Sequence, residues 1–135
     1  QSLNTTAVQV GQQTGYSEIF RLFSELDVKS EFLEVPSFFL GAFEMYPLEI
    51  IRPYVALANL GTYPGISTIA RVVSANGEIL YEKPILTKQV MSPIHAAEIV
   101  KIMSHVFDHG TAKGARALGY QGTGAGKTGT TSDYK

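Results

Sequence analysis

The chain contains no cysteine. That excludes a disulfide framework, a thiolate metal site and a cysteine nucleophile, while leaving the compartment open, because exported domains also fold without cysteine. A second shortage is charge of either sign in excess. The net charge is −1 with a pI near 6.3, so no basic field gathers nucleic acid or an anionic membrane surface, and partners must be recognised locally. Long apolar runs are missing too. The stretches Phe38–Phe43 and Ile50–Leu60 are bounded or broken by Glu44, Arg52 and Pro53 and are too short to span a bilayer. Gln1 opens directly into folding sequence without a charged leader, and Thr130 to Lys135 carries no cap or tail signal. The chain is therefore expected to be a segment of a longer protein, with any anchor outside it.

What is present is an ordinary globular composition, 44% hydrophobic and 17% charged over 135 residues, enough for one domain or a piece of one. Neither an internal repeat nor a linker divides it. Thr5 to Gln13 has helical spacing and stops at Gly15. Ser17 is expected to cap a second helix whose apolar face is Ile19, Phe20, Leu22, Phe23 and Leu26. Pro36 and Gly41 frame a loop or extended segment over Ser30 to Leu40. Pro47 suits the first turn of a third helix, with Gly61 just past its end, and the Leu, Ile and Ala of Tyr46–Asn59 predict a largely buried segment. Pro53 must kink that helix or lie near its start. Ser74-Ala75-Asn76-Gly77 between β-branched runs predicts a hairpin. Ser92-Pro93 opens a last helix, expected to continue to Gly110. Helices and a hairpin in this order give an α+β arrangement rather than a doubly wound sheet.

The tract Gly122 to Thr130 invites a nucleotide-binding reading through Gly124 to Thr128. A phosphate loop needs a glycine five positions before Gly126-Lys127-Thr128, where Gln121 stands, and a strand before it. Neither requirement is met. Read as Lys-Thr-Gly-Thr on an edge strand, the same residues offer a positive charge from Lys127, two hydroxyls on one face from Thr128 and Thr130, and close backbone approach at Gly129. That set suits a substrate carboxylate and a developing oxyanion.

At the opposite end stands Ser2-Leu3-Asn4, and Ser-x-Asn followed by Lys-Thr-Gly is the order of two of the three active-site motifs of serine β-lactamases and penicillin-binding proteins. Pro36-Ser37-Phe38-Phe39-Leu40-Gly41 with Pro47-Leu48-Glu49 is similar to the Pro-x-x-x-Leu-Gly and Thr-Pro-Leu-Glu segment of the class A penicillin-binding proteins. Tyr46 stands where many members have Thr. Gly110-Thr111-Ala112 with Arg116 looks like the stretch that precedes their Lys-Thr-Gly strand. Nearly the whole chain thus resembles the C-terminal part of a class A transpeptidase domain, and Leu3 departs from the Asp of class A β-lactamases. The resemblance implies a partial domain over residues 1–135, a fragment of the penicillin-binding fold with a Lys-Thr-Gly edge strand.

By resemblance, Ser2 belongs to the proton-transfer network at the leaving amine and Asn4 binds the amide of the acyl chain. Lys127, Thr128 and Thr130 hold the terminal carboxylate, with Gly129 between them and the Thr130 N–H forming half of an oxyanion hole. The implied reaction is D,D-transpeptidation of D-Ala-D-Ala stem peptides through an acyl-serine, which β-lactams trap, on the outer face of a bacterial cytoplasmic membrane. No cofactor, metal or nucleic acid is implied. The membrane enters only through an anchor upstream, as does a glycosyltransferase domain of the parent. The family's Ser-x-x-Lys nucleophile motif is expected to be absent from this chain: three residues after Ser24, Ser30, Ser37 and Ser74 stand Asp27, Leu33, Leu40 and Gly77. The fragment alone is expected to be inactive, and exposed edges are expected to favour pairing or dimerisation. The alternatives are a non-catalytic homologue that keeps the fold as a binding or structural module and, behind it, a nucleotide-binding protein using Gly124 to Thr128. His105 and His109, four apart near a helix end, lack the neighbouring Glu and third ligand of a zinc protease, so helix-end charge accounts for them better.

Overall fold

Glycine sets the first boundary. In the computed structural model, which describes residues 3–129, α1 (Asn4–Thr14) ends where Gly15 adopts φ +82°, and α2 (Tyr16–Glu25) starts at once. Gly15 occupies the capping position of α2, so Ser17 lies inside the helix instead of capping it. Tyr16, Phe20 and Phe23 recur at helical spacing and meet a 3-10 helix, Pro36–Leu40, within the segment expected to be loop. The result is an aromatic cluster. Phe38 is buried at its centre, stacked on Phe43 at 4.9 Å and edge-on to Phe20 at 5.4 Å, while Phe39 stacks on Tyr16 at 4.7 Å. Phe32 closes the cluster, 5.0 Å from Phe43 and 5.3 Å from Phe23. Burying rings of this size supplies much of the apolar contact in a chain whose remaining core is small.

That second core is Leu26, Ala56 and Tyr63, flanked by Leu22, Val28, Val55, Ile66 and Val90. Two polar pins hold α3 (Pro47–Ala58) against the end of α2. Arg52 Nη1 donates to the carbonyls of Leu26 at 3.0 Å and Asp27 at 2.6 Å, where Asp27 turns into positive φ and would otherwise leave its carbonyls unmatched. The buried Glu49 carboxylate accepts from the Lys29 backbone N–H at 2.6 Å and from the Ser30 hydroxyl. The Ser30 bond and then the Lys29 bond hold its pKa below the ordinary carboxylate value, against the opposing cost of burial. Burial raises the Tyr63 pKa, and its hydroxyl and Arg52 Nε are both buried without a hydrogen-bond partner.

The expected burial of Tyr46–Asn59 is not found. Leu48, Ile50, Ile51 and Tyr54 are all more than two-fifths exposed, because α3 packs on α4 and on a two-residue strand and presents its remaining sides to solvent. Pro53 sits inside α3.

Leu60 and Gly61 turn through positive φ into β1 (Thr62–Tyr63), which pairs antiparallel with β4 (Lys88–Gln89). At Gly61 an added Cβ would lie 2.3 Å from the Met91 carbonyl oxygen, so only glycine fits. β2 (Arg71–Val73) and β3 (Ile79–Glu82) form the expected hairpin, closed by Gly77 N–H to Ser74 O at 3.0 Å and braced by an Arg71–Glu82 ion pair. α4 (Pro93–Ser104) begins at the predicted proline but stops short of Gly110. From His105 to Asp108 the amides bond three residues back, the tighter 3-10 pattern that closes a helix end. A short α5 (Lys113–Ala117) follows. The architecture is α+β as expected, mixed helices with two small sheets. The Lys-Thr-Gly edge strand is not formed among the described residues. Residues 121–129 are irregular, and a strand needs a neighbouring ladder, which the end of α4 does not provide.

Candidate functional site

Arg116 anchors the stretch that leads into the Lys-Thr-Gly segment. From α5 its Nη1 donates to the carbonyls of Tyr120 at 3.0 Å and Gly122 at 2.9 Å, and its Nε to Asp108 at 3.3 Å. The guanidinium also lies 5.6 Å from the ring centres of both Phe107 and Tyr120, a planar, stacking role that Arg fills better than Lys. The Tyr120 hydroxyl donates to the Thr123 carbonyl at 2.8 Å. This ring pair explains the glycines. A Cβ at Gly122 would stand 2.8 Å from the Tyr120 ring and one at Gly124 2.8 Å from Phe107, so packing against aromatics accounts for them without a phosphate.

Beyond Gly124 the chain crosses the end of α4. Gly126 N–H bonds the Met103 carbonyl at 3.3 Å, and the Thr128 and Thr111 hydroxyls meet at 2.7 Å. The segment Gly110-Thr111-Ala112 is thus tied to the Lys-Thr-Gly motif by a side-chain bond. Lys127 is exposed and its ammonium donates to the Thr128 carbonyl at 2.7 Å. It lines an open cavity of about 570 Å³ together with Thr128, Thr111, His105, His109 and the apolar Ile102 and Val106. Chemically this is one cation and two hydroxyls on the rim of an apolar hollow, suited to an anionic group attached to an apolar body.

Asn4 opens α1, exposed, after Leu3 in the capping position. α1 is placed by its packing on α2 and on the 3-10 helix, where Gly11 lets the Phe39 ring lie against it. Among the described residues, none from α1 lines the Lys127 cavity, so the structure joins Lys127 to Thr128 and does not join Asn4 to them. Gly129 is exposed with open space about it. Ser2 and Thr130 lie outside the described residues. His105 and His109 have ring centres 6.0 Å apart, and the described residues contain no cluster of three or more potential metal ligands. Arg116 as organiser was not assigned from sequence; its position four residues before Tyr120 was the available signal. One Ser-x-x-Lys spacing does occur, Ser132-Asp133-Tyr134-Lys135, but it follows Lys-Thr-Gly instead of leading it and also lies outside the described residues.

A family model for the penicillin-binding protein transpeptidase domain matches residues 1–135, and the chain belongs to that family. Among curated relatives it is 31% identical to penicillin-binding protein 1B of Vibrio cholerae, over 100% of this chain and 18% of that protein. It is 32% identical to penicillin-binding protein 2D of Bacillus subtilis over 96% of this chain and 20% of the relative. Penicillin-binding protein 1A of Aquifex aeolicus is 31% identical over 99% of this chain and 18% of its own length. The chain thus spans about a fifth of the length of these relatives. Among the described residues no helix is long and apolar enough to cross a membrane.

Proposed function

We propose that this chain is the C-terminal part of the transpeptidase domain of a class A penicillin-binding protein that cross-links peptidoglycan outside the cytoplasmic membrane. The observation that carries this reading is the Lys127–Thr128 pair on the rim of an apolar cavity, in a chain that matches the transpeptidase family throughout. A serine outside residues 1–135 attacks the carbonyl of the penultimate D-Ala. The C–N bond to the terminal D-Ala breaks, and the leaving amine takes a proton through the network that includes Ser2. The amine of a second stem peptide then displaces the serine oxygen. Asn4 holds the acyl amide, and Lys127 with Thr128 and Thr130 holds the terminal carboxylate. Gly129 lets the substrate backbone approach, and the Thr130 N–H stabilises the oxyanion. The edge strand forms when the segment finds a neighbouring ladder in the parent domain. β-Lactams trap the acyl-serine.

The test is covalent labelling of the parent by a fluorescent penicillin, with the adduct mapped by mass spectrometry. A serine outside this chain is expected to carry it, Lys127→Ala is expected to cut labelling by about tenfold or more, and residues 1–135 alone are expected not to label. An adduct on Ser132, or none on the parent, overturns the assignment; an unreactive parent favours a binding or structural homologue.

A further inference from the structure

The Thr111 and Thr128 hydroxyls meet because two turns, 17 residues apart, rest on one helix end. On the Thr111 side, Gly110 lies so close to the backbone that an added Cβ would stand 2.7 Å from Val106 Cα, and a side chain there would push Thr111 away. The Ala112 N–H bonds the Val106 carbonyl at 3.1 Å, so the residues on both sides of Thr111 are fixed to Val106. On the Thr128 side, the Gly126 N–H bonds the Met103 carbonyl at 3.3 Å and the Lys127 ammonium donates to the Thr128 carbonyl at 2.7 Å. Each hydroxyl is therefore delivered by its own backbone seat. They stand 2.7 Å apart, the ordinary length of an O–H···O bond, and both residues are exposed and line the Lys127 cavity.

The direction of that bond matters. A threonine hydroxyl has one proton to donate, and a carboxylate can only accept. For Thr128 to donate to a carboxylate in the cavity, its own oxygen must accept from Thr111; the reverse direction would turn the Thr128 proton away from the ligand. With Thr111 donating, the two bonds run in series and each polarises the other. We infer that Thr111 is a positioning residue: its hydroxyl donates to Thr128 Oγ1 and so holds the Thr128 proton toward the terminal carboxylate of the substrate. The inference rests on the transpeptidase reading above and extends it to a residue outside the Lys-Thr-Gly motif. A residue acting in this way matters most when the ligand is charged, because a hydrogen bond to an ionised acceptor is roughly twice as strong as one to a neutral group.

The test uses the full parent protein and two probes that differ at one group, benzylpenicillin and its methyl ester. The readout is the ratio of the acylation rate with the carboxylate to that with the ester, because damage to the fold slows both alike. Thr111→Val is expected to lower that ratio by at least about threefold, and Thr111→Ser, which keeps the hydroxyl, is expected to restore most of it. In a Thr128→Val background, Thr111→Val is expected to lower the ratio no further, since no hydroxyl is left to orient. An unchanged ratio, equal slowing of both probes, or failure of the serine variant to recover overturns the inference. An undiminished further fall in the Thr128→Val background means that Thr111 meets the carboxylate itself, which also overturns the positioning role. An unsubstituted parent that neither probe acylates sinks the transpeptidase reading and the inference with it, whereas a normally acylated parent whose ratio ignores Thr111→Val sinks the inference alone.

Discussion

Gly11 is a position away from the cavity where the packing makes a single methyl group costly. An added Cβ there would lie 2.2 Å from Cδ1 and 2.3 Å from Cγ of Phe39, and the ring cannot retreat freely because it is stacked on Tyr16 and edge-on to Phe38. Forcing a methyl into such a contact costs about 1–3 kcal/mol. Disturbing the Tyr16 stack adds about 0.5–1.5 kcal/mol, and Ala returns about 1 kcal/mol through its better helix propensity. Gly11→Ala is therefore expected to destabilise the chain by about 1–3 kcal/mol, a shift in Tm on the order of 8 °C at the middle of that range. Urea and thermal unfolding followed by circular dichroism measure it. The decisive comparison uses a Phe39→Ala background. With the ring gone, the two closest contacts vanish and only the residue 39 Cβ, 2.9 Å from the added methyl, remains, so the same Gly11→Ala change is expected to cost at least about 1 kcal/mol less than in the native background. A destabilisation of equal size in both backgrounds would refute the Gly11–Phe39 contact as the cause.

Other outcomes follow from the same geometry. Arg116→Lys is expected to accelerate amide exchange over Gly122–Gly126 by roughly tenfold while barely moving the global melt, because Lys supplies neither the paired carbonyl bonds nor the stack. Thr111→Val and Thr128→Val, each nearly isosteric, are expected to couple by about 0.5–1 kcal/mol in a double-mutant cycle, whereas simple additivity would mean that the 2.7 Å hydroxyl contact contributes nothing. The folded-state pKa of Glu49 is lowered from 4.5. Its contribution is thus fully present above about pH 4.5 and is lost as pH falls through the folded value. Tm profiles of the native chain and Glu49→Gln should therefore differ near neutrality and converge in acid, and parallel profiles would contradict the carboxylate's role.

Local chemistry made much of the fold legible. Gly15, Pro47, Pro93 and Asn76-Gly77 mark boundaries through backbone dihedrals, which neighbours in space do not alter, and each stands at the end of an element as the sequence predicts. Burial was not legible in the same way. Tyr46–Asn59 has the composition of a core helix, but composition reports what a segment would bury, not whether a partner is there to cover it. The β1–β4 pair escaped notice because two-residue strands carry no alternation. At the site, Lys127 and Thr128 are expected from their motif, and both line one cavity. Asn4 is expected on the same ground, yet its relation to them depends on long-range packing that no spacing encodes. Arg116 was seen only as part of a resemblance; its work is done through carbonyl oxygens, which every residue possesses and sequence therefore cannot distinguish.

The hairpin turn also sets the chain's chemical lifetime. An asparagine followed by glycine is the dipeptide most prone to deamidation, because the unhindered Gly77 nitrogen can attack the Asn76 side-chain amide, expel ammonia and form a succinimide that opens to aspartate or isoaspartate. Here that nitrogen is engaged with the Ser74 carbonyl, so closure of the hairpin shields the amide that is most exposed to this reaction. Each opening of β2 from β3 removes the shield, and the isoaspartate content of an aged sample becomes a cumulative record of how often the hairpin has opened.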